Sequence, residues 1–166
     1  MRIRLAIFTA FILFSACRSA PTVAFDPSAA EFINKPGSIK IDGHAFFRAE
    51  SGKVIFAAGE YAYLIPVTPY AEQRFFQVYG KGKYIQTKYM PWDDADAQFK
   101  KYMRSTKAES TGRFSFDKVS PGEYFIATSA TWRPENSFLT VGAAIYERVT
   151  ITGKETEAVK VIVSGK

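Results

Sequence analysis

From residue 38 onward the chain alternates apolar and polar positions with the period of a β-strand. Ile39, Ile41, Gly43, Ala45 and Phe47 share one side, their more polar neighbours the other, and Phe46 breaks the pattern. Glu50-Ser51-Gly52-Lys53 reads as a turn, Val54 to Ala57 as a restart, and Ala58-Gly59-Glu60 as a second turn. Tyr61 to Thr68 is rich in β-formers and almost unbroken in apolarity, which predicts a strand covered on both faces. Pro66 has no N–H for a sheet ladder, so that strand should end near an edge. Arg113-Phe114-Ser115-Phe116 alternates strictly, and Pro121-Gly122 suits the central positions of a type II turn. Glu123 to Trp132 then predicts a return strand. Phe138 to Ile151 and Ala158 to Val163 predict a last pair, joined through Thr152-Gly153-Lys154-Glu155. About seven short strands with turn signals between them predict an all-β antiparallel sandwich.

An insertion at about 69–104 interrupts this pattern. Pro69 is set to open a helix to about Tyr79, with Phe75, Phe76, Val78 and Tyr79 on one side. Gly80-Lys81-Gly82-Lys83 predicts a flexible turn, and Tyr84 to Tyr89 a short extended piece. Met90-Pro91-Trp92-Asp93-Asp94 predicts a second helix start, its acids favourably placed at the N-terminal end of the helix dipole. Ala95, Phe99, Tyr102 and Met103 would be that helix's inner face.

The N-terminus is built differently. Arg2 and Arg4 precede an apolar run from Leu5 to Phe14, and Ser15-Ala16-Cys17 follows. This is the anatomy of a secretory signal. The run is too short to span a membrane, which takes about 20 apolar residues. The segment resembles the signal of bacterial lipoproteins. That resemblance implies removal of residues 1–16, lipid on Cys17, and a membrane anchor in the cell envelope. Arg18 rather than Asp after the cysteine leans toward the outer membrane. The rival expectation is cleavage after Ala24, giving a secreted or periplasmic soluble protein. Residues 17–37 are expected to be a tether, with Asp26-Pro27 capping one helical turn. Cys17 is the only cysteine, so a lipid there leaves no disulfide to hold the fold.

The stretch Gly112-Arg113-Phe114-Ser115-Phe116-Asp117-Lys118-Val119-Ser120-Pro121-Gly122-Glu123-Tyr124 resembles the G-x-F-x-F-x-x-L-x-P-G-x-Y hairpin of carboxypeptidase regulatory-like domains, with Val119 in place of Leu. The resemblance implies a transthyretin-like β-sandwich over 38–166, interrupted by the insertion. It bears on fold and not on function. Independently of it, alternation sends Phe114 and Phe116 to one face, and Tyr124 would turn its ring inward while its hydroxyl seeks a polar partner.

Charge and chemistry narrow the function. The chain carries a formal +6, reduced to a mildly basic balance once Arg2 and Arg4 are removed. An exported, mildly basic chain argues against nucleic acid as partner. His44 is the only histidine, and a zinc site takes three or four His, Cys or carboxylate ligands, so neither a metal nor another cofactor is expected. No nucleophile motif accompanies His44, and no catalytic residue is expected. An enzyme would need a pocket around that histidine. Asp93-Asp94-Ala95-Asp96 lacks the glycine and terminal glutamate of a calcium loop. The insertion is rich in aromatics interleaved with lysines. These form either a satellite core with snorkelling lysines or an exposed surface for a glycan strand or protein partner. Tyr84, Tyr89, Trp92 and Trp132, all beside turns, are the candidates for such a surface. The sequence thus points to a non-catalytic, lipid-anchored envelope protein that acts as a binding or scaffold module. Peptidoglycan or polysaccharide binding is the alternative.

Overall fold

The structure, a computed structural model, describes residues 23–49, 51–87, 89–135 and 137–165. The expected secretory signal and the expected lipid attachment at Cys17 fall outside the described residues. Among the described residues nine strands form two sheets: β1 (Ile39–Arg48), β2 (Val54–Phe56), β3 (Tyr61–Pro66), β4 (Tyr84–Ile85), β5 (Arg104–Lys107), β6 (Arg113–Val119), β7 (Gly122–Trp132), β8 (Val141–Ile151) and β9 (Val159–Val163). Three α-helices accompany them among the described residues, α1 (Pro27–Ala30), α2 (Pro69–Tyr79) and α3 (Ala97–Lys101), and a 3-10 helix (Glu31–Asn34) follows α1. The architecture is the expected all-β sandwich.

Sheet I is built around β1. β9 runs parallel to one edge of it, pairing Ile41 to Ala45 with Val159 to Val163. The other edge is shared: β6 pairs antiparallel with its first half and β2 with its last three residues. Ala45 makes the join, donating its N–H to the Gly112 carbonyl oxygen and accepting from the Ala57 N–H. Sheet II is antiparallel throughout, in the order β4-β8-β7-β3-β5.

Two predicted hairpins are instead crossings between sheets. β6 pairs with β1 in sheet I, whereas β7 pairs with β3 and β8 in sheet II. The Ser120–Pro121 link therefore turns a corner of the sandwich. A bulge bends β6 into it: the register slips between Ile39 and Ile41, and Lys118 takes φ 54°. Gly122 fits the corner because a Cβ there would sit 2.4 Å from the Phe32 ring. The Tyr124 hydroxyl, fully buried, donates to the Ser120 carbonyl at 2.8 Å and ties the corner shut. Likewise β8 and β9 belong to different sheets, so the predicted last pair is also a crossing.

The main core fills the space between the sheets, from Ile39, Ile41, Ala45 and Phe47 of β1 to Phe114, Phe116, Tyr124, Ile126 and Ile145. Gly43 belongs to the same inward row. The Phe114 ring lies where its Cβ would be, 2.0 Å away, so only glycine admits that ring. Sheet II is covered on its outer face as well. There α2 and the rest of the insertion make a second core from Ile65, Tyr70, Phe75, Tyr79, Met90, Trp92, Phe99 and Phe125. This explains the long apolar runs of β3 and β7, whose alternate residues supply different cores.

Thr68 caps α2, its hydroxyl accepting the Ala71 N–H at 3.1 Å, and Pro69 follows at the first helical position. Phe75 and Tyr79 face inward as expected, but Phe76 is 62% exposed. One residue on is about 100° round the helix, which takes Phe76 off the buried stripe. The second predicted helix is reduced to α3, because the acids before it fold turns instead. Asp93 accepts the Met90 N–H at 2.8 Å, Asp94 binds Arg74, and only Asp96 caps the helix, accepting the Gln98 N–H at 2.7 Å. The expected tether is corrected from Phe25 on. Phe25 packs against Tyr70, Phe99 and Tyr102, and Phe32 against Tyr124, so the domain begins well before residue 38.

Candidate functional site: the outer face of sheet I

Nothing among the described elements covers the outer face of sheet I as α2 covers sheet II. The strand registers lay its outward side chains in rows. Ser115, Asp42 and Lys160 stand side by side across β6, β1 and β9, and Arg113, His44 and Ile162 form the next row. Phe56 and Phe46 pair in the row beyond. Neighbours within a row are about 4.8 Å apart along the hydrogen-bonding direction. The polar rows form part of a groove of about 580 Å³ whose far wall includes Thr106, Lys107 and Glu109 at the sandwich edge.

The aromatic end of this face is organised. The His44 ring stacks on Phe56, centroids 5.6 Å apart and 19° from parallel, and meets Phe46 at 5.3 Å. Phe46 and Phe56 meet edge to face at 6.5 Å. Phe56 stays 43% exposed and Ile162 61% exposed. One hydrogen bond fixes the histidine: Nε2 lies 2.9 Å from the Thr111 carbonyl oxygen. A carbonyl only accepts, so Nε2 is the donor of this hydrogen bond. In the adjoining row Asp42 is bound to Lys40 at 3.1 Å, and that hydrogen bond raises the Lys40 pKa. The face thus offers a partly exposed aromatic cluster beside hydrogen-bonding side chains. Such a surface can stack a ring and hydrogen-bond its substituents at once.

The residues singled out from the sequence lie elsewhere. Tyr84 is 40% exposed and meets Phe47 at 5.3 Å. Trp132 is half-buried, stacks on the same Phe47 at 5.7 Å, and borders a shallow groove with Gln86, Thr87 and Thr140. Tyr89 is half-buried, its hydroxyl donating to Asp94 at 2.5 Å. Trp92 must be corrected: it is 8% exposed, lies 4.5 Å from Tyr63, and belongs to the second core. The turn beside it packs down on sheet II, so being next to a turn did not mean being exposed. The insertion is in the main a satellite core, held by Arg74, whose Nε donates to the Pro91 carbonyl at 2.7 Å.

Sequence reasoning missed Phe46, Phe56 and Arg113. The signal was present in the break at Phe46-Phe47, since two adjacent aromatics on a strand must face opposite sides. No group of three or more His, Cys, Asp or Glu side chains able to hold a metal occurs among the described residues. No helix among them is long and apolar enough to cross a membrane.

No family model matches this chain, and no curated protein does. Among solved structures it is similar to the crystal structure of a "putative carbohydrate binding protein" from Pseudomonas aeruginosa, with a TM-score of 0.68 and 21% identity over 88% of this chain and 99% of that one. At that identity the likeness is one of fold: both chains are all-β sandwiches of the same overall plan.

Proposed function

We propose that this protein is a non-catalytic carbohydrate-binding module of the bacterial cell envelope, and that it holds its ligand on the outer face of sheet I. The observation that carries this reading is the exposed His44–Phe46–Phe56 cluster set beside hydrogen-bonding rows on an uncovered sheet. Pyranose rings present an apolar C–H face and a rim of hydroxyls, and this surface complements both. The carbohydrate-binding description of the structural neighbour agrees with it. A non-catalytic role suits His44, whose Nε2 donates to Thr111 and whose ring packs against Phe46 and Phe56. Lipid attachment at Cys17 remains part of the proposal, supported by Arg2, Arg4 and the apolar run before Ser15-Ala16-Cys17. Intact mass of the protein from native membranes tests it; an unmodified chain beginning at Phe25 refutes the anchor.

Binding is tested by retention of the full chain on immobilised envelope polysaccharides. Saturable retention that Phe56→Ala abolishes, with thermal stability preserved, is the expected result. Retention unaffected by that change refutes the assignment. A protein partner is the second reading. One observation favours it: Phe138 and Leu139, in the β7–β8 loop, are 97% and 74% exposed. Phe138→Asp should then release a partner crosslinked at that loop, and an unchanged crosslink would exclude the loop.

A further inference from the structure

The charges around the sheet I groove narrow the ligand. Four cations line it, Lys40, Lys107, Arg113 and Lys160, against two acids, Asp42 and Glu109. Asp42 is already neutralised by Lys40. None of the ion pairs among the described residues uses Lys107, Arg113 or Lys160. All three are exposed. On the sheet II side, by comparison, Lys83 pairs with Glu147, and Arg148 with both Glu72 and Glu123. What sets these three apart is that they gather around one groove, with Glu109 as the one acid there not held by Lys40.

Their placement gives the charge a geometry. Arg113 is the register neighbour of His44 on β6, and Lys160 is the register neighbour of Asp42 on β9. The two cations therefore flank β1 from opposite sides, two strand spacings across the sheet and two residues along it, ~12 Å apart. A ring stacked at His44 and Phe56 would have Arg113 beside it, and a chain continuing along the face would pass Lys160. Arginine's planar fork suits a carboxylate or phosphate through paired hydrogen bonds, and lysine adds a point charge.

We infer that the groove selects anionic carbohydrate, a glycan whose sugar rings carry carboxylate or phosphate groups, with Arg113 and Lys160 as the charge-reading residues. The inference rests on the carbohydrate reading of this face. It adds that the negative charge, and not the sugar ring alone, determines which glycan is held.

The test is a binding titration of the full chain with three soluble polymers: uncharged dextran, polygalacturonate and a phosphomannan. The expected result is at least tenfold tighter binding to one or both anionic polymers than to dextran, weakening as salt is added. Polygalacturonate alone would identify carboxylate as the feature read, phosphomannan alone phosphate, and both a general anionic preference. Arg113→Gln and Lys160→Gln should each reduce that preference severalfold, whereas Lys81→Gln, which removes the same charge far from the groove, should not. Phe56→Ala should weaken binding to all polymers that bind. Equal binding of dextran and the anionic polymers overturns the inference and leaves the carbohydrate reading standing. An anionic preference that survives Arg113→Gln and Lys160→Gln, or falls as much with Lys81→Gln, overturns the site. Binding to none of the three, or binding indifferent to Phe56→Ala, overturns both.

Discussion

His44 and Phe56 stack across the β1–β2 pair with ring centroids 5.6 Å apart and planes 19° from parallel. Both rings stand on the outward side of sheet I, where they meet no core. Aromatic pairing at an exposed site adds little to stability, about 0.5–1.5 kcal/mol beyond area burial. It does hold the two rings in fixed positions, so a ligand that packs on their exposed parts need not order them.

Phe56→Ala is the direct consequence. Phe56 is 43% exposed, so its loss should cost about 1 kcal/mol, well under the ~3–5 kcal/mol of a buried phenylalanine. Chemical denaturation checks the stability, and glycan retention should vanish in the same variant.

Phe116→Ala should behave in the opposite way. Phe116 is 3% exposed within the main core and packs edge to face with Phe114 at 5.8 Å. Its loss should cost about 3–5 kcal/mol in denaturant unfolding. A cost below ~1 kcal/mol would mean that the sandwich is not packed at this point.

Tyr79 offers a stabilising change. Its hydroxyl is buried without a hydrogen-bond partner, and burial pushes its pKa far above the ordinary tyrosine value. Tyr79→Phe removes the unsatisfied group and keeps the ring stacked on Phe75, 5.7 Å away. An unsatisfied buried polar group costs about 1–3 kcal/mol, so the variant should melt higher than the parent. A lower melting temperature would show that the hydroxyl has a partner after all.

Asp94 sets part of the acid limit of stability. Its hydrogen bonds with Tyr89 and then Arg74 hold its carboxyl below the ordinary value of 3.8. A depressed carboxylate contributes stability above the unfolded pKa and loses it as pH falls through the lower folded value. Asp94→Asn should therefore be less stable than the parent at neutral pH, and the two should converge in acid below that range. Parallel stability–pH curves for the two proteins would contradict the linkage.

The inward rows of the sandwich were legible because strand alternation is a local property. Ile39, Ile41, Ala45 and Phe47 are all buried, as are Phe114 and Phe116. Helix α2 was legible from Pro69 to Tyr79, since its cap and apolar stripe lie within its own turns. The corner at Ser120–Pro121 was not. A Pro-Gly link reads the same whether its two strands pair or part, and here the choice is made by β1 and β3, far away in sequence. The site was hidden for the same reason. Phe46 and Phe56 become neighbours only through the β1–β2 register, and Arg113 joins His44 only through β1–β6. Tyr89 and Trp92 drew attention as aromatics beside turns, but those turns are themselves anchored by Arg74 on α2.

The central claim is that the outer face of sheet I is the ligand surface. It is tested most directly by backbone amide NMR of the full chain titrated with oligogalacturonate. The account predicts saturable shifts concentrated at Asp42, His44, Phe46, Phe56, Arg113 and Lys160. Shifts concentrated instead around Tyr84 and Trp132, or around Phe138 and Leu139, with the sheet I residues unmoved, would contradict it.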